Sequence, residues 1–312
     1  MGMGFASEPN PSLLAQPLHM TMILHTLLGD YPNTRALKEG RVPSSLVNLN
    51  FADVKVPSTA FKRVVRQIEF DVAELAIITY LQAKAHGKPL VLLPARVGPT
   101  RFQHQCLVHN IERPMTPADL VGKRVGMRAW SQTTPTWVRG ILADQYGVDL
   151  DRVHWMTFED PHVAEFRDPP GVVRAPAGKD LLKILAAGEL DAAIIGHNTP
   201  GDPRIQPMIP NHEEAAKQWA RKHKAVPINH MIVVKESLSR ERPEIVREIY
   251  RMLKEARQAS GEPTSGEFDM APYGVEANRS ALQLAIDLAT AQKLLSRKLT
   301  VDELFDATTR AL

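Results

Sequence analysis

Two histidines and one glutamate stand where they could transfer protons. His104 ends the string Arg101-Phe-Gln-His104, and His230 ends the string Pro227-Ile-Asn-His230. Glu74 follows an apolar segment that is predicted to form a strand. A histidine suits proton transfer because its unperturbed pKa, about 6.5, lies near neutral pH. We therefore predict acid–base chemistry at His104, His230 and Glu74, with Glu74 serving as a base or binding a hydroxyl.

A second group of side chains could hold an anion. The loop Ser131-Gln-Thr-Thr134 precedes a predicted helix, whose free backbone N–H groups and dipole attract negative charge. Arg101 suits a carboxylate because its planar guanidinium offers two parallel donors. The predicted substrate-binding residues are Asp30, Arg101, Ser131, Thr133, Thr134, Trp137 and Arg139.

Most of these residues also have a purely structural interpretation. Asp30 could stabilise its own turn through a local side-chain hydrogen bond. Asp71 and Glu74 have the spacing of a capping box at the start of a helix. Thr134 could be an ordinary helix cap, and Arg139 could form a surface ion pair. A lone histidine is usually structural. His104 and His230, however, each lie beside a predicted crossing between the lobes, and this paired position favours a functional role.

Other candidate ligands give weaker signals. His162 and Glu165 are three residues apart on a helix predicted to start at Pro161, but two ligands without a third favour a solvated helix face. Cys106 is the only cysteine, which excludes an intrachain disulfide and favours a small buried apolar side chain. No metal site and no cofactor are evident in the sequence.

Alternating strands and helices must position these side chains. This alternation favours a parallel α/β sheet, in which ligands bind beyond the carboxyl ends of the strands. The predicted strands cover residues 19–28, 46–51, 68–70, 90–93, 105–108, 124–128, 153–157, 192–195 and 231–235. The predicted helices cover residues 61–67, 71–85, 135–146, 181–187, 213–222, 243–259, 275–295 and 301–311.

The length of the chain and this order of elements indicate two α/β lobes with a cleft between them. We predict that residues 18–104 and 238–312 form a discontinuous domain 1 and that residues 105–237 form an inserted domain 2. A disordered tail is predicted for residues 1–17. Two connections would then cross the cleft, and lobes joined in this way can close over a ligand.

Charge and hydropathy exclude two classes of partner. The chain has 38 basic and 35 acidic residues and no Lys/Arg block, which argues against a nucleic-acid partner. No apolar run reaches the ~18 residues that a membrane span needs. The first basic residue is Arg35, so the start of the chain does not resemble a secretory signal, and we expect a cytoplasmic protein. A protein whose secretory signal had been removed would show the same first residues. The sequence is also compatible with a homo-oligomer.

Several strings resemble the family of 4,5-dihydroxyphthalate decarboxylases. They are Arg101-Phe-Gln-His104, Trp137-Val-Arg-Gly-Ile-Leu142 with Tyr146-Gly-Val148, Pro227-Ile-Asn-His230, Pro272-Tyr-Gly-Val-Glu-Ala-Asn-Arg279 and Thr300-Val-Asp-Glu-Leu-Phe305. The resemblance runs from about Met20 to the end of the chain. It implies a type 2 periplasmic-binding-protein-like fold, a non-exported protein and an aromatic dicarboxylate as the substrate class.

The resemblance also implies a non-oxidative carboxy-lyase of phthalate degradation. Its reaction would convert 4,5-dihydroxyphthalate, or a related hydroxylated aromatic carboxylate, to 3,4-dihydroxybenzoate (protocatechuate) and CO2. Arg101 with Ser131, Thr133 and Thr134 would hold the retained carboxylate, and His104 or His230 would protonate the ring. Glu74 or Asp30 would meet the hydroxyls. A catechol can chelate a divalent ion, so a metal dependence is compatible with this chemistry.

Two other functions share this scaffold. A non-catalytic solute-binding protein would capture a small aromatic or carboxylate ligand and release no product. A different lyase, such as the chorismate-handling enzymes of menaquinone synthesis, would release no CO2 from phthalates. The fold alone does not choose among them, because function resides in the site.

Overall fold

The computed structural model describes residues 21–98, 100–196, 201–262 and 267–312, and its strands form two mixed sheets. The strands are β1 Met22–Leu27, β2 Val47–Phe51, β3 Val72–Ala76, β4 Leu90–Val97, β5 Leu107–Asn110, β6 Arg124–Met127, β7 His154–Thr157, β8 Val173–Arg174, β9 Ala192–Ile194, β10 Ile205–Pro207 and β11 His230–Lys235. The helices are α1 Pro32–Lys38, α2 Phe61–Gln67, α3 Ile77–Ala85, α4 Thr133–Tyr146, α5 Leu181–Ala187, α6 His212–His223, α7 Glu236–Glu241, α8 Pro243–Ala259, α9 Val275–Ala291 and α10 Ala307–Arg310. Short 3₁₀ helices cover Pro57–Ala60, His104–Cys106, Pro117–Leu120, Leu150–Arg152 and Asp302–Leu304.

The first sheet has the strand order β2-β1-β3-β11-β4. Strand β1 runs parallel to β2 and β3, whereas β11 runs antiparallel to both β3 and β4. Every residue of β3 and of β4 is buried. Apart from Glu74 and Arg96, their sequences are apolar, which is typical of strands that are covered by other elements on both faces.

The second sheet has the order β10-β5-β9-β6-β7-β8. Strand β6 runs parallel to β7 and β9, and β5 pairs antiparallel with β9 and β10. Helix α4 follows β6 and ends at Gly147, whose φ of 64° provides the left-handed cap that was predicted there. Because β6, β7 and β9 are parallel, the loops that follow them leave from the same edge of the sheet.

The topology corrects the predicted boundary of domain 2. Strand β11 lies between β3 and β4 in the first sheet, so the chain has already returned to the first lobe at His230. The predicted range 105–237 therefore extends too far, and the second sheet takes its strands from residues 107–207. The local sequence of a strand does not reveal which sheet it will pair with. The predicted tail, residues 1–17, lies outside the described residues.

The two lobes share one apolar core. Helix α3 of the first lobe contacts α4 of the second, and α9 packs against both. A side chain at Gly140 would meet Leu288 at 2.7 Å, so the absence of a Cβ lets α4 and α9 approach closely. Gln292, just after α9, donates a hydrogen bond to the carbonyl of Thr136 and accepts one from the guanidinium of Arg139. In the described part of the chain, no helix is both long and apolar enough to cross a membrane.

Local patterns predicted some elements well and others wrongly. Helices α2, α5 and α8 have the predicted bounds. The predicted strand 68–70 and helix 71–85 are replaced by β3 and the shorter α3. The spacing of Asp71 and Glu74 had indicated a capping box, but Asp71 instead accepts from the His25 N–H and pairs with Lys235. Pairing with β1 and β11 thus outweighed the local helix signal.

Candidate functional site

A cavity of about 390 Å³ opens between the two sheets. This volume falls within the range of small-molecule sites, about 300–1,000 Å³. Both lobes contribute to its wall, including the junction of β3 with α3, the start of α4 and the start of β11. The lining residues are Tyr31, Lys55, Val56, Pro57, Ser58, Phe61, Ala76, Arg101, Arg128, Gln132, Thr133, Thr134, Pro135, His162, Ile194, Ile195, Gly196, Asn229 and His230.

His230 is held against a fully buried carboxylate. Its Nδ1 lies 2.6 Å from Oε1 of Glu74, which also accepts from the Tyr31 hydroxyl at 2.8 Å. The other carboxylate oxygen accepts from the Gly29 N–H at 2.9 Å. Three donors therefore satisfy Glu74, as a buried charge requires. A carboxylate on Nδ1 fixes the tautomer and orientation of the ring, so Nε2 is the nitrogen available to the cavity.

Tyr31 was missed in the sequence, although it is part of this network. Burial, followed by the charge and the hydrogen bond of Glu74, raises the pKa of Tyr31. The hydroxyl therefore stays protonated and donates to Glu74, while the ring lines the cavity. Its neighbour Asp30 was predicted instead, but Asp30 is exposed, pairs with Arg35 and does not line the cavity.

The start of α4 forms a donor-rich end of the cavity. No side chain caps this helix, and Thr133, Thr134 and Gln132 line the cavity. Arg101 donates to the Thr134 hydroxyl at 3.3 Å, while its Nη1 is buried and forms no hydrogen bond within the described residues. Free N–H groups at a helix start and a neighbouring guanidinium together suit a carboxylate.

The cavity wall carries positive charge. Lys55, Arg101 and Arg128 line it, and no carboxylate side chain is present among the described lining residues. Arg128 is itself paired with Glu159 through two hydrogen bonds of 2.7 and 2.8 Å. Lys55 is exposed and forms no ion pair with any described residue. This distribution favours an anionic ligand.

Two helix starts are joined at the cavity. The Thr133 hydroxyl accepts from the Ile78 N–H at 3.2 Å, which connects the start of α4 to the start of α3. The Ile77 N–H donates to the carbonyl of Asn229, directly before His230. The Trp137 indole donates to the carbonyl of the preceding residue, Ile228, at 2.9 Å. These bonds fix the second crossing of the chain relative to both lobes.

Several predicted site residues lie away from the cavity. His104 is buried against Trp219, and its Nε2 is bonded to Gln145 at 2.8 Å. Trp137 is buried and reaches the site only through its bond to the backbone. Ser131 is buried and is not among the lining residues. The structure therefore does not bring His104 and His230 together, and the predicted convergence of the two histidines is wrong.

Arg139 is a structural cation in the second lobe. It is fully buried, and its guanidinium lies 3.6 Å from the centre of the Trp130 ring. It donates to Gln292 and to the carbonyl of Trp130, each at 2.8 Å. Burial lowers the pKa of Arg139 to about 9. It makes neither the surface ion pair nor the ligand contact that the sequence suggested.

His162 lines the cavity, although its sequence context favoured a solvated helix face. No helix forms at Pro161, and the carbonyls of Pro161 and His162 accept hydrogen bonds from Arg66 at 2.7 and 2.8 Å. The residue is 8% exposed, and its Nδ1 lies 2.8 Å from the Thr79 hydroxyl. Burial, and then the nearby charges of Arg128 and Lys62, lower the pKa of His162 to about 4.

This shift predicts a pH-dependent stability. A histidine in the unfolded chain binds its proton near pH 6.5, whereas folded His162 binds it near pH 4. Between these values the unfolded chain holds more protons, so the free energy of unfolding decreases as the pH falls. His162 should contribute up to about 3 kcal/mol to this decrease.

Urea unfolding at pH 7 and at several lower values, down to about pH 4, would measure this contribution. His104 and His109 have lowered pKa values for the same reason, so the comparison must be with a His162→Gln variant. We expect the variant to lose less stability than the wild type over this interval. Equal losses in the two proteins would contradict the assignment.

No group of three or more His, Cys, Asp or Glu side chains suited to a metal ion occurs within the described residues. Glu165, which the sequence had paired with His162, forms an ion pair with Lys88 at 2.6 Å. Cys106 is buried next to Arg101, and burial raises the pKa of its thiol.

Solved structures identify the class of fold. The alkanesulfonate-binding protein SsuA from Xanthomonas axonopodis pv. citri, bound to MOPS, covers 91% of this chain and 98% of its own, with a TM-score of 0.55 and 16% identity. The periplasmic aliphatic sulphonate binding protein SsuA from Escherichia coli covers 93% and 99%, with a TM-score of 0.57 and 13% identity. The desulfurization enzyme DSZB covers 92% and 98%, with a TM-score of 0.51 and 14% identity. These likenesses confirm the predicted two-lobed periplasmic-binding-protein-like α/β fold.

Sequence relatives identify the family. The 4,5-dihydroxyphthalate decarboxylase of Comamonas testosteroni is 32% identical over 235 residues, which are 70% of this chain and 70% of the relative. The enzyme of the same name from Pseudomonas putida is 30% identical over 222 residues, 66% of this chain and 84% of the relative. No family model matches the chain. The chain therefore belongs to the 4,5-dihydroxyphthalate decarboxylase family, whose named members are carboxy-lyases.

Proposed function

We propose that this protein decarboxylates 4,5-dihydroxyphthalate, or a closely related hydroxylated aromatic carboxylate, to 3,4-dihydroxybenzoate and CO2 in the cytoplasm. One observation carries the proposal. A single cavity combines a donor-rich end at Arg101 and α4 with a histidine, His230, that is held by the buried carboxylate of Glu74. The first can retain one carboxylate while the second acts on the carbon that loses the other.

The proposed reaction is a proton-for-CO2 exchange at one ring carbon. Each carboxylate of 4,5-dihydroxyphthalate has a hydroxyl para to it, and this hydroxyl pushes electron density to the carbon that carries the carboxylate. The imidazolium form of His230, whose Nδ1–H donates to Glu74, gives the proton on Nε2 to that carbon. The bond to the carboxylate then breaks, CO2 leaves, and the electron pair of that bond restores the aromatic ring. A well-placed general acid typically contributes ~10²–10⁴-fold to such a step.

Glu74 takes a different role from the one its sequence suggested. It is 0% exposed, does not line the cavity and is already bonded to three donors. We propose that it positions His230 and does not itself touch the substrate. The hydroxyls of the substrate must then be met by other residues.

Incubation of the purified protein with 4,5-dihydroxyphthalate in D2O tests the proposal. We expect 3,4-dihydroxybenzoate that carries deuterium at carbon 6, the position vacated by CO2. A parallel thermal-shift series with aromatic acids would detect ligand binding, because a ligand specific for the folded state raises the melting temperature. A large thermal shift without product would instead support a solute-binding protein, which is what the similar sulfonate-binding structures are named for.

Gly98 provides a test of how tightly His230 is positioned. Its φ is 80°, and an added Cβ would lie 2.9 Å from Nδ1 of His230 and 3.0 Å from Oε1 of Glu74. Gly98→Ala should therefore displace the pair and lower turnover at least tenfold, since small misplacements of reacting groups are costly. The left-handed backbone should also cost about 1–2 kcal/mol of stability.

Gly87→Ala is the matched control for this substitution. Gly87 has a similar φ of 70°, but nothing lies within 4 Å of the position of its Cβ. Both variants should lose stability in urea unfolding, and only Gly98→Ala should lose turnover beyond that explained by unfolding. Equal turnover in the two variants would show that the contact with His230 is unimportant.

A further inference from the structure

The site described above leaves the ring hydroxyls of the substrate without an assigned partner. Glu74 is enclosed, and Asp30 lies outside the cavity. His230 itself does not suit this task, because the hydroxyl para to the departing carboxylate lies on the opposite side of the ring from the carbon that is protonated. A second polar group within the cavity is therefore required if the proposed function is right.

We propose that His162 binds this para hydroxyl of the substrate through Nε2. The inference rests on the proposed function and deepens it. His162 lines the same cavity as His230, and the two imidazoles flank one aromatic ring. The Phe61 ring centre lies 5.6 Å from His162 and 5.2 Å from His230, with nearly perpendicular planes in both cases.

The surroundings of His162 leave one nitrogen for a ligand. Nδ1 lies 2.8 Å from the Thr79 hydroxyl, whereas Nε2 forms no hydrogen bond within the described residues and is not enclosed by them. In the proposed arrangement Nδ1–H donates to Thr79 and Nε2 accepts from the hydroxyl of the substrate. Accepting this bond increases electron density on the oxygen and, through the ring, on the para carbon.

The protonation state agrees with an accepting role. Burial, together with Arg128, Lys62 and Arg66, lowers the pKa of His162 to about 4, against the opposing effect of Glu159. The ring is then neutral at pH 7, and a neutral imidazole has one nitrogen that accepts a hydrogen bond. A protonated imidazole would offer two donors and no acceptor.

The backbone around His162 is fixed to the other lobe. His162 lies between β7 and β8 of the second sheet, yet Arg66 of α2 in the first lobe donates to its carbonyl and to that of Pro161. Lys88, between α3 and β4, pairs with Glu165 of the same loop. The ring therefore approaches the cavity in a preset position, which reduces the ordering cost on binding.

Binding measurements with two dicarboxylates test the assignment. Phthalate lacks both hydroxyls but keeps both carboxylates, so the ratio of its Kd to that of 4,5-dihydroxyphthalate isolates the contribution of the hydroxyls. Calorimetry at pH 7 in the His230→Ala variant, in which turnover of 4,5-dihydroxyphthalate is slowed, should give a ratio of about three to ten, the value of one hydrogen bond. Adding His162→Leu to this variant should bring the ratio close to one, because the affinity for 4,5-dihydroxyphthalate decreases more than the affinity for phthalate.

Three further variants distinguish a ligand contact from a structural role. His162→Gln keeps a hydrogen-bonding group and should recover part of the ratio. Thr79→Val removes the anchor of the ring without touching the ligand and should lower the ratio, which also covers the case in which His162→Leu does not fold. His154→Leu changes an exposed histidine of β7 and should leave the ratio unchanged.

The outcomes separate this inference from the proposed function. An unchanged ratio in His162→Leu, or an equal loss of affinity for both ligands, overturns the hydroxyl assignment. A His230→Ala protein that binds both dicarboxylates with equal affinity also overturns it and leaves the decarboxylase proposal standing. Absence of binding to either dicarboxylate overturns both.

Discussion

Replacing His230 with alanine should lower the turnover of 4,5-dihydroxyphthalate by ~10²–10⁴-fold, the usual contribution of a positioned general acid. The KM should change little, because the donors proposed to hold the retained carboxylate, Arg101 and the start of α4, remain in place. The Gly29 N–H and the Tyr31 hydroxyl still donate to Glu74 in this variant, so the protein should remain folded. Steady-state kinetics that follow 3,4-dihydroxybenzoate would measure the effect.

Companion variants show whether Glu74 acts through His230. Glu74→Gln preserves the shape of the side chain but places an amide next to Nδ1, so the ring can adopt the wrong tautomer. We expect a large decrease in kcat in this variant and no further decrease when it is combined with His230→Ala. Turnover in His230→Ala within about threefold of the wild type would exclude His230 as the acid, since general acids contribute far more.

Replacing Arg101 with glutamine should weaken the binding of aromatic dicarboxylates by about 30-fold or more. Loss of one partner from a buried, hydrogen-bonded charge pair costs ~2 kcal/mol at the least, and 1.4 kcal/mol is a factor of ten in affinity. The Kd of phthalate, measured by calorimetry, would report this effect without any contribution from turnover. Arg101→Lys should give an intermediate loss, because the charge remains but the paired donors do not.

Arg139→Gln is the matched control for the position of the guanidinium. The guanidinium of Arg139 is enclosed by Trp130 and Gln292 and does not reach the cavity. This variant should lose stability in urea and keep its affinity for phthalate. Unchanged affinity in Arg101→Gln would show that the retained carboxylate binds elsewhere.

The sequence predicted those parts of the fold that depend on local pattern. Helix α8 begins at Pro243 and turns a strongly apolar face inward, so its bounds could be predicted. Arg101, Thr133 and Thr134 line the cavity as the sequence predicted, although α4 begins at Thr133 and not at Pro135. The periplasmic-binding-protein-like fold followed from resemblance to known sequences.

The remaining features depend on contacts between distant segments. The sequence predicted Glu74 as a base or hydroxyl ligand on a helix, but Glu74 lies within β3, and its partners are 43 to 156 residues away in the chain. His104 and His230 lie at equivalent positions, each beside a predicted crossing between the lobes. Only the folded structure shows that His104 packs on Trp219 whereas His230 bonds to Glu74 at the cavity. Tyr31 and His162 carried no signal strong enough to place them at a cavity.

The central claim is geometric: one end of the cavity holds a carboxylate while His230 faces the carbon that carries the other. A crystal structure of the His230→Ala variant with 4,5-dihydroxyphthalate would test it most directly. We predict one carboxylate within ~3 Å of Arg101 and of the N–H groups of Thr133 and Thr134, and the second directed at residue 230. A ligand bound with its hydroxyls at Arg101, or outside this cavity, would contradict the account.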